Sequence, residues 1–383
     1  MSPFAPGAAS AALYIGLMSG TSLDGVDGVL VDFAPQPTGA ALRVLAHVHQ
    51  PLPLELRAEF LALNHRGADE LHRAALAANA LSELEAVVVR ALLESAGVES
   101  AAVCAIGAHG QTLRHQPGLH DGRGYTLQLH NGALLAELCG IDVVCDFRSR
   151  DVAAGGQGAP LVCAFHQALF AREEMDVAVL NLGGQSNLTL LRADGGICGF
   201  DCGPANALLD GWCERHTGQR FDDAGRWAAG GRVDETLLAA LLSDAFFARR
   251  PPKSTGRDDF NLAWLDGQLA ALAVMPAPQD VQATLAAFVA RTVADALRRE
   301  APRTRELLAA GGGTFNLDLL QRLRALLPGV AVLTTAERGL DPNQVEAAAF
   351  AWLAHAHVLR SPGNRVEVTG ARGPRVLGAL YPA

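Results

Sequence analysis

The sequence predicts an α/β fold divided into two domains of similar plan. Apolar runs with the character of buried strands alternate with segments of helical periodicity. Residues 14–33 contain an apolar run, a turn of small polar residues and a second apolar run, and residues 177–191 repeat this plan. Because 383 residues are many for one hydrophobic core, we interpret the repeat as one hairpin in each of two domains. Coincidence is the alternative, since such hairpins are common.

The elements of the N-terminal half follow in order. The stretch "YIGLMSGTSLDGVDGVLVDF" predicts a β-hairpin, because runs of strand-forming residues flank a turn of Gly, Ser and Thr. Residues 67–97 have helical periodicity and stop at Gly97, a residue type that commonly ends helices. A buried strand "AAVCAIG", a helix-like segment "GALLAELCG", a second strand "IDVVCDF" and a glycine-rich loop "RSRDVAAGGQGAP" come next.

Helices dominate the second half. Periodicity predicts them at residues 206–216, 233–247, 281–300, 317–327 and 345–359. The stretch "LLAAGGGTFN" predicts a strand that runs into three glycines and then a helix, which lets the backbone approach a ligand closely. The stretch "ARRPPKSTGRDDF" at residues 248–260 is the most polar of the chain, and we expect an exposed loop there.

Composition excludes some classes of function. The formal net charge of −9, with no basic face in the sequence, argues against a nucleic-acid partner. The seven cysteines are odd in number and include no Cys-x-x-Cys pair, so we expect reduced thiols in the core. The first residues lack the features of a secretory leader, and no apolar stretch is long enough to span a membrane. We therefore expect a cytoplasmic protein without a membrane partner.

The turn of the first hairpin is a candidate phosphate site. Its residues, 19–27, present several backbone N–H groups to an anion, and Asp24 could hold magnesium directly or through water. The alternative is a tight turn whose glycines supply positive φ and whose hydroxyls cap local N–H groups. The turn is not a Walker A loop, because no Gly-Lys-Ser/Thr ends it.

Asp201 is a candidate general base. It lies just before a Gly-Pro turn and a predicted helix, where a carboxylate could take a proton from a reacting group or could merely cap the turn. The three glycines at 311–313 could form a backbone ledge for a nucleoside, or could allow close strand–helix packing.

Polar residues after the strand "AAVCAIG" are candidates for ligand binding. Gln111 and Thr112 are suited to hydrogen bonding a polar ligand, whereas the nearby histidines lack the spacing of a zinc site. Arg148 and Arg150 could each grip a carboxylate, or could form salt bridges with neighbouring aspartates. Glu346 could reach a sugar hydroxyl, or could stabilise the start of its helix through the dipole.

Several of these stretches together resemble one enzyme family. In chain order they are "GLMSGTSLDGVD", "GAHGQTLRHQP", "DFRSRDVAAGGQGAPLV", "NLGGQSNLT", "GFDCGPANALLD", "PPKSTGR", "GGGTFN" and "VEAAAFAWLA". They are similar to the signature blocks of the anhydro-N-acetylmuramic acid kinases. The resemblance implies two ribonuclease-H-like domains of the actin, hexokinase and Hsp70 type around a nucleotide cleft. It places them at 1–140, closed by a C-terminal helix at about 345–383, and at 141–344.

The resemblance also implies an activity. Such enzymes use ATP and Mg²⁺, open the internal ether of 1,6-anhydro-N-acetylmuramic acid with water, phosphorylate the released O6 in cell-wall recycling, and are usually homodimers. An ordinary sugar kinase acting on a free hydroxyl and a nucleotide-gated clamp without sugar turnover are the alternatives. Two positions depart from the family pattern: Ala205 replaces a glycine whose backbone angle alanine can resist, and Cys163 replaces a proline.

The resemblance assigns roles to individual residues. It makes Asp201 the catalytic base, and it assigns Thr112, Arg150 and Glu346 to the sugar. It assigns nucleotide binding to the first turn (Gly20, Thr21, Ser22, Leu23, Asp24, Gly25, Val26, Asp27), to the second turn (Gly183, Gly184, Asn187) and to three glycines (Gly311, Gly312, Gly313).

Overall fold

The computed structural model describes residues 12–20, 22–35, 41–256 and 259–383. The chain divides into two compact units. The first unit comprises Met1–Leu169 and Gln344–Ala383, and the second comprises Phe170–Asn343.

The described residues contain thirteen β-strands. Their bounds are β1 Leu13–Ser19, β2 Gly25–Asp32, β3 Arg43–Pro51, β4 Val103–Ala108, β5 Gln111–Pro117, β6 Gly124–Leu129, β7 Val143–Cys145, β8 Val177–Leu182, β9 Gln185–Leu191, β10 Ile197–Pro204, β11 Glu306–Ala310, β12 Ala331–Thr334 and β13 Ala379–Tyr381.

The same part of the chain contains fourteen α-helices. Their bounds are α1 Leu54–Leu63, α2 Glu70–Ala96, α3 Gly132–Cys139, α4 Ser149–Ala153, α5 Val162–Phe170, α6 Asn206–Thr217, α7 Arg226–Ala229, α8 Glu235–Leu242, α9 Ala245–Ala248, α10 Leu262–Ala270, α11 Pro278–Glu300, α12 Leu317–Leu326, α13 Val345–Val358 and α14 Val366–Thr369.

The two units have sheets of the same strand order. In the first unit the order is β3-β2-β1-β4-β7, with β13 added beyond β7, and in the second it is β10-β9-β8-β11-β12. In the first sheet β2 pairs antiparallel with β1 and β3, β4 pairs parallel with β1, and β7 pairs parallel with β4. In the second sheet β9 pairs antiparallel with β8 and β10, β11 pairs parallel with β8, and β12 pairs parallel with β11. The predicted fold class, two α/β domains of one plan, is confirmed. Both predicted hairpins, β1–β2 and β8–β9, are confirmed as well.

The division between the units falls later in the chain than the sequence suggested. Residues 141–169 belong to the first unit, whereas the sequence assigned them to the second domain. The strand β7 explains this placement, because it pairs with β4 on one side and with β13 on the other. The three apolar residues of β7 predict a strand, but they do not show which distant strands it pairs with.

One predicted helix is interrupted. The sequence predicted a continuous helix at 233–247, but the structure has α8 and α9 with a break between them. Asp244 accounts for the break, because its side chain accepts a hydrogen bond from the backbone N–H of Phe246 at 2.8 Å and so starts a new helix.

Helix α13 lies directly against the first sheet. A Cβ atom at Gly16 of β1 would come within 1.9 Å of the carbonyl oxygen of Ala347, and a Cβ atom at Gly107 of β4 within 2.1 Å of that of Phe350. Both neighbours are backbone atoms of α13, so only glycine permits this approach. The close contact fixes the start of α13, where Glu346 lies, relative to the ends of β1 and β4.

Each unit has its own hydrophobic core. In the first, α2 covers the other face of the sheet, and a Cβ atom at Gly28 would meet Val88 at 2.4 Å. In the second, α11 is buried along most of its length against sheet and helices. All seven cysteines are free thiols, as predicted. Four are buried, Cys139 and Cys198 are partly buried, and Cys104 is exposed, so the expectation of core thiols is wrong for Cys104. Among the described helices, none is both long enough and apolar enough to cross a membrane.

The contact between α13 and β4 predicts that the stability of the fold depends on glycine at position 107. Gly107→Ala should lower the free energy of unfolding by about 1–3 kcal/mol, the usual cost of forcing an extra methyl group into a packed core. Gly267→Ala is the matched control, because a Cβ atom at this helical glycine would meet nothing within 4 Å. Thermal and denaturant unfolding of both variants measures the difference. Equal stability of the two would contradict the packing described here.

Candidate active site

The first turn connects β1 and β2 through residues 20–24. The N–H of Leu23 donates a hydrogen bond to the carbonyl oxygen of Gly20 at 3.2 Å, and Leu23 has a positive φ of 56°. The side chains of Leu23 and Val26 are buried in the core of the first unit, so only their backbone is available to a ligand. Ser22 and Asp24 are exposed. Thr21 lies outside the described residues, and Gly25 begins β2.

Asp24 fits a magnesium ion that is held mainly by phosphates and water. Its Oδ1 accepts hydrogen bonds from the Ser22 hydroxyl at 2.6 Å and from the Gly25 N–H at 3.1 Å. Across the described residues no group of three or more His, Cys, Asp or Glu side chains forms a metal-binding set. Mg²⁺ in phosphate-binding sites commonly takes one or two carboxylates and keeps water ligands. A single exposed carboxylate beside the turn suits such an ion, but not a dedicated protein cage.

Asp27 differs in environment from the rest of the turn. It lies on β2, opposite His49 of β3. Its Oδ1 is 3.0 Å from Nδ1 of His49 and 3.3 Å from Nε2 of His47. The carboxylate is therefore held by two imidazoles from the neighbouring strand.

His109 links the first turn to Arg148. Its Nδ1 is 3.0 Å from the carbonyl oxygen of Ser19, which can only accept, so Nδ1 carries the proton. Its Nε2 then accepts from Nε of Arg148 at 3.2 Å and from Nη2 at 2.9 Å. Burial and the charge of Arg148 lower the pKa of His109 to about 3, so the imidazole stays neutral at physiological pH. Next to it, Gln111 accepts from the Ser19 hydroxyl and donates to the carbonyl oxygen of Gly20 at 3.2 Å.

The two candidate arginines have different surroundings. Arg148 is partly buried, and its Nη1 also donates to the carbonyl oxygen of Gly158 at 2.9 Å. Burial lowers its pKa to about 10, so it remains charged at neutral pH. Arg150 is exposed and forms no ion pair with any described residue. The salt bridges with neighbouring aspartates that the sequence allowed are absent from the described residues for both arginines.

A buried aspartate anchors the loop that follows these arginines. Asp151 accepts hydrogen bonds from the Gly158 N–H at 2.8 Å, from the Asn364 amide at 2.7 Å and from the Thr369 hydroxyl at 2.8 Å. Three donors satisfy this carboxylate without a cation. The C-terminal segment of the chain thus holds Asp151, and Asp151 holds the loop at Gly158, whose carbonyl oxygen accepts from Arg148.

Glu346 lies beside Arg148 at the start of α13. Glu346 is exposed to solvent, yet neighbouring protein atoms partly desolvate its carboxyl group and raise its pKa. The positive charge of Arg148 opposes this rise, whereas Asp27 and Asp24 reinforce it. The first unit therefore brings together the turn, Asp27, Arg148 and Glu346, although they are distant in sequence.

Thr112 is placed by a separate hairpin. It lies on β5, which pairs with β6 in a two-stranded sheet that the sequence did not predict. Its hydroxyl accepts a hydrogen bond from the Gln128 amide at 3.2 Å. Thr112 follows Gln111 directly, so the backbone places it next to the turn contacts of that residue.

Asp201 belongs to a polar row that crosses the second sheet. In the strand register it lies opposite Asn187 of β9, which in turn lies opposite Asn181 of β8. Directly paired residues face the same side of a sheet, so the three polar side chains share one face. Their neighbours along each strand are buried apolar or small residues. A Cβ atom at Gly311 would come within 2.6 Å of Oδ1 of Asn181, which extends the row towards the three glycines.

The carboxylate of Asp201 is held by the segment that the sequence predicted to be an exposed loop. The N–H of Thr255 donates to Oδ2 of Asp201 at 2.9 Å. Burial raises the pKa of Asp201 to about 6, while this hydrogen bond and the charge of Lys253 act in the opposite direction. The expectation of an exposed excursion is wrong for residues 253, 255 and 256, which are partly buried.

The second turn is engaged with helix α6. The carbonyl oxygen of Gly183 accepts from the Asn206 N–H at 3.1 Å, and that of Gly184 accepts from Ala205 at 3.0 Å and from Ala207 at 3.2 Å. These N–H groups at the start of α6 are therefore used within the protein. Any anion at this turn would have to use other donors.

The three glycines after β11 have different reasons to be glycine. Gly311 has a φ of 82°, which favours glycine, and a Cβ atom at Gly313 would be 2.6 Å from Cβ of Leu182. At Gly312 the nearest atom would be the Asn206 amide nitrogen at 3.9 Å, so packing does not require glycine there. Ala205 has a φ of −136°, outside the left-handed region that favours glycine, together with a ψ of −111°.

Comparison with known proteins adds a family to this geometry. The family model described as anhydro-N-acetylmuramic acid kinase matches residues 12–383. The anhydro-N-acetylmuramic acid kinase of Albidiferax ferrireducens is 58% identical over 391 residues, covering 97% of this chain and 99% of its own. That of Bordetella petrii is 60% identical over 373 residues, covering 97% and 96%. The chain belongs to the anhydro-N-acetylmuramic acid kinase family.

The chain also has a distant likeness to a solved structure of another protein. Component A of the (R)-2-hydroxyglutaryl-CoA dehydratase of Acidaminococcus fermentans aligns with a TM-score of 0.48 at 12% identity, over 90% of this chain and 100% of that chain.

The kinase sequence alone did not single out several residues of these clusters. Asn181 lies inside an otherwise apolar strand, and this lone polar residue was the available signal. Lys253 and Thr255 lie in a stretch that polarity assigned to solvent. His47 and His49 lie on a strand that the sequence left unassigned, and nothing local connects them with Asp27.

Proposed function

We propose that this chain is an ATP-dependent kinase that opens 1,6-anhydro-N-acetylmuramic acid with water and phosphorylates O6, giving N-acetylmuramic acid 6-phosphate in cell-wall recycling. The kinase class follows from the family. The observation that carries the proposal is the carboxylate of Asp201, which is partly buried, has a pKa raised to about 6 and lies in a polar row. A base with a pKa near the working pH accepts a proton efficiently and is still ionised beforehand.

ATP would bind through backbone and small polar groups. We assign its phosphates to the first turn, where Gly20, Ser22 and Asp24 are accessible, and to the second turn at Gly183 and Gly184. We assign the nucleoside to the glycines after β11, where a Cβ atom at Gly312 would meet its nearest neighbour only at 3.9 Å.

Magnesium would be held by Asp24 and the phosphates of ATP. When bound, it would neutralise negative charge on the transferred phosphoryl group. The hydrogen bonds from Ser22 and Gly25 hold Oδ1 of Asp24 in a fixed position and so orient this carboxylate.

The sugar would bind through Thr112, Glu346 and an arginine. The resemblance names Arg150 for this role. The contacts favour Arg148, because its charge is held beside Glu346 by His109 and the loop carbonyl of Gly158, whereas Arg150 is exposed. Held in this way, a guanidinium loses little entropy when it binds a substrate oxygen.

The reaction needs one base for two bond changes. Asp201 takes a proton from water, and the resulting hydroxide forms a bond to C1 of the sugar. The bond between C1 and O6 breaks, O6 forms a bond to the γ-phosphorus, and the bond from that phosphorus to ADP breaks. Asn187, opposite Asp201 on the neighbouring strand, offers an amide that can hold the water.

The setting of the enzyme is also part of the proposal. We propose a cytoplasmic homodimer with no nucleic-acid or membrane partner. The acidic net charge of −9 supports the absence of nucleic-acid and membrane partners, because binding to phosphate backbones or anionic lipids needs a basic surface.

Isotope analysis of the product tests the activity. In H₂¹⁸O with ATP and the anhydro-sugar, we expect a product that contains one phosphoryl group and one ¹⁸O atom in the sugar, with none in the phosphoryl group. Mass spectrometry with fragmentation locates the label. A phosphorylated product that keeps the anhydro ring, or a clear preference for free N-acetylmuramic acid, would favour an ordinary sugar kinase. ATP binding without sugar turnover would favour the clamp.

Replacing the base should remove most of the activity. Asp201→Asn keeps the size but not the basicity, so kcat should fall by roughly 10²- to 10⁴-fold. In the wild type, kcat/KM should fall as the pH drops through about 6, because the raised pKa of Asp201 makes it protonate there. Asp194→Asn, in an exposed turn of the same unit, is the matched control and should keep wild-type kinetics. Near-normal turnover of Asp201→Asn would remove this residue from the role.

The two arginines can be separated by paired variants. Arg148→Ala should raise KM for the anhydro-sugar by about 10- to 100-fold, the worth of a lost charge-assisted hydrogen bond. Arg150→Ala should have a smaller effect. Steady-state kinetics with saturating ATP measures both, and unfolding curves check that both variants are folded. The reverse order of effects would return the role to Arg150.

A further inference from the structure

The motif "PPKSTGR" takes part in no step proposed so far, yet it contacts Asp201 twice. The N–H of Asp201 donates to the carbonyl oxygen of Lys253 at 3.1 Å, and the N–H of Thr255 donates to Oδ2 of Asp201 at 2.9 Å. One contact fixes the backbone of Asp201 and the other fixes its side chain. Because β10 is an edge strand, its outer side is open to such pairing.

The segment is itself anchored. Lys253 lies with its ammonium group 4.4 Å from the centre of the Phe246 ring, and it donates to the carbonyl oxygen of that residue at 3.3 Å. On the other side of the segment, the Thr255 hydroxyl donates to Asp259 at 2.9 Å, and the Gly256 N–H donates to the same carboxylate at 3.3 Å.

Aromatic packing closes the base of this loop. The ring of Phe260, which follows the segment, lies 5.6 Å from that of Phe246 and 5.4 Å from that of Phe247, which precede it. Phe247 also packs on Phe288 of α11, with 5.3 Å between the ring centres. A Cβ atom at Gly203 would come within 2.7 Å of the Phe247 ring, so this ring lies directly against the strand. The two ends of the loop are thus fixed to the core and to the strand that carries Asp201.

We propose that Lys253–Thr255 is a positioning element for the catalytic base, in which the backbone N–H of Thr255 holds Oδ2 of Asp201 so that Oδ1 faces the water. This inference rests on the proposed function of Asp201. None of the described residues donates a hydrogen bond to Oδ1. A backbone amide is a suitable holder, because it neither titrates nor changes rotamer.

The element also limits how far burial raises the pKa of the base. Desolvation raises it, while the Thr255 N–H and the charge of Lys253 favour the ionised form. The ammonium group of Lys253 in turn interacts electrostatically with Cys202 of β10 and with Arg299 and Glu300 of α11. Removal of the N–H should therefore raise the pKa of Asp201 further, and the base would be protonated at higher pH.

A proline at position 255 tests this role. Thr255→Pro removes the N–H, whereas Thr255→Ala keeps it and removes only the hydroxyl that contacts Asp259. We expect the acid limb of kcat/KM in the proline variant to move up by about one pH unit relative to the alanine variant, with kcat about tenfold lower and little change in KM for ATP. If the proline variant does not fold, an ester at residue 255, which replaces the N–H by oxygen, provides the same comparison.

The outcomes separate this inference from the function on which it rests. If Asp201→Asn is inactive but the variants with and without the N–H have the same acid limb, the positioning role is wrong and the base stands. If Asp201→Asn remains active, both are wrong. A shifted acid limb together with an inactive Asp201→Asn supports both.

Discussion

Desolvation of a carboxylate beside a cation is the physical constraint that the candidate sites of both units share. In the first unit, partial desolvation raises the pKa of the exposed Glu346, and the charge of Arg148 opposes the rise. In the second unit, burial raises the pKa of Asp201, and the Thr255 N–H and the charge of Lys253 oppose the rise. A carboxylate withdrawn from water without a partner would take up a proton and lose its charge. A carboxylate fully paired with a cation would be a poor base. A carboxylate that is partly desolvated but still ionised requires that the cation, the backbone donors and the surrounding apolar groups are all held in place.

The shared sheet plan supplies that rigidity. In the first unit, glycines at positions 16 and 107 let the backbone of α13 lie on β1 and β4, and this contact fixes Glu346. In the second, the pairing of β8, β9 and β10 places Asn181, Asn187 and Asp201 in one row. Backbone pairing and glycine contacts are stiff, so these candidate side chains are positioned by elements whose stability depends on buried apolar surface.

Loops in both units are held next to the candidate side chains, by polar contacts in the first unit and by aromatic packing in the second. Asp151 accepts from Gly158, Asn364 and Thr369, and so holds the loop whose Gly158 carbonyl oxygen contacts Arg148. The aromatic residues around Phe260 hold the segment that reaches Asp201. In both cases residues outside the candidate site limit the freedom of a loop, and a restrained loop loses less entropy when it binds a ligand.

The sequence by itself determined the alternating elements, both hairpins with their small-residue turns, the strand into three glycines and the family. These features depend on local periodicity and on residue types that the backbone requires at turns. Only the tertiary structure decided which polar residues are neighbours: Arg148 rather than Arg150 beside Glu346, the two histidines on Asp27, and Thr255 on Asp201. It also decided that β7 belongs to the first unit and that a polar stretch is partly buried. The physical reason is that burial and hydrogen bonding here join segments distant in sequence, so a residue's own neighbours in the chain do not reveal its surroundings.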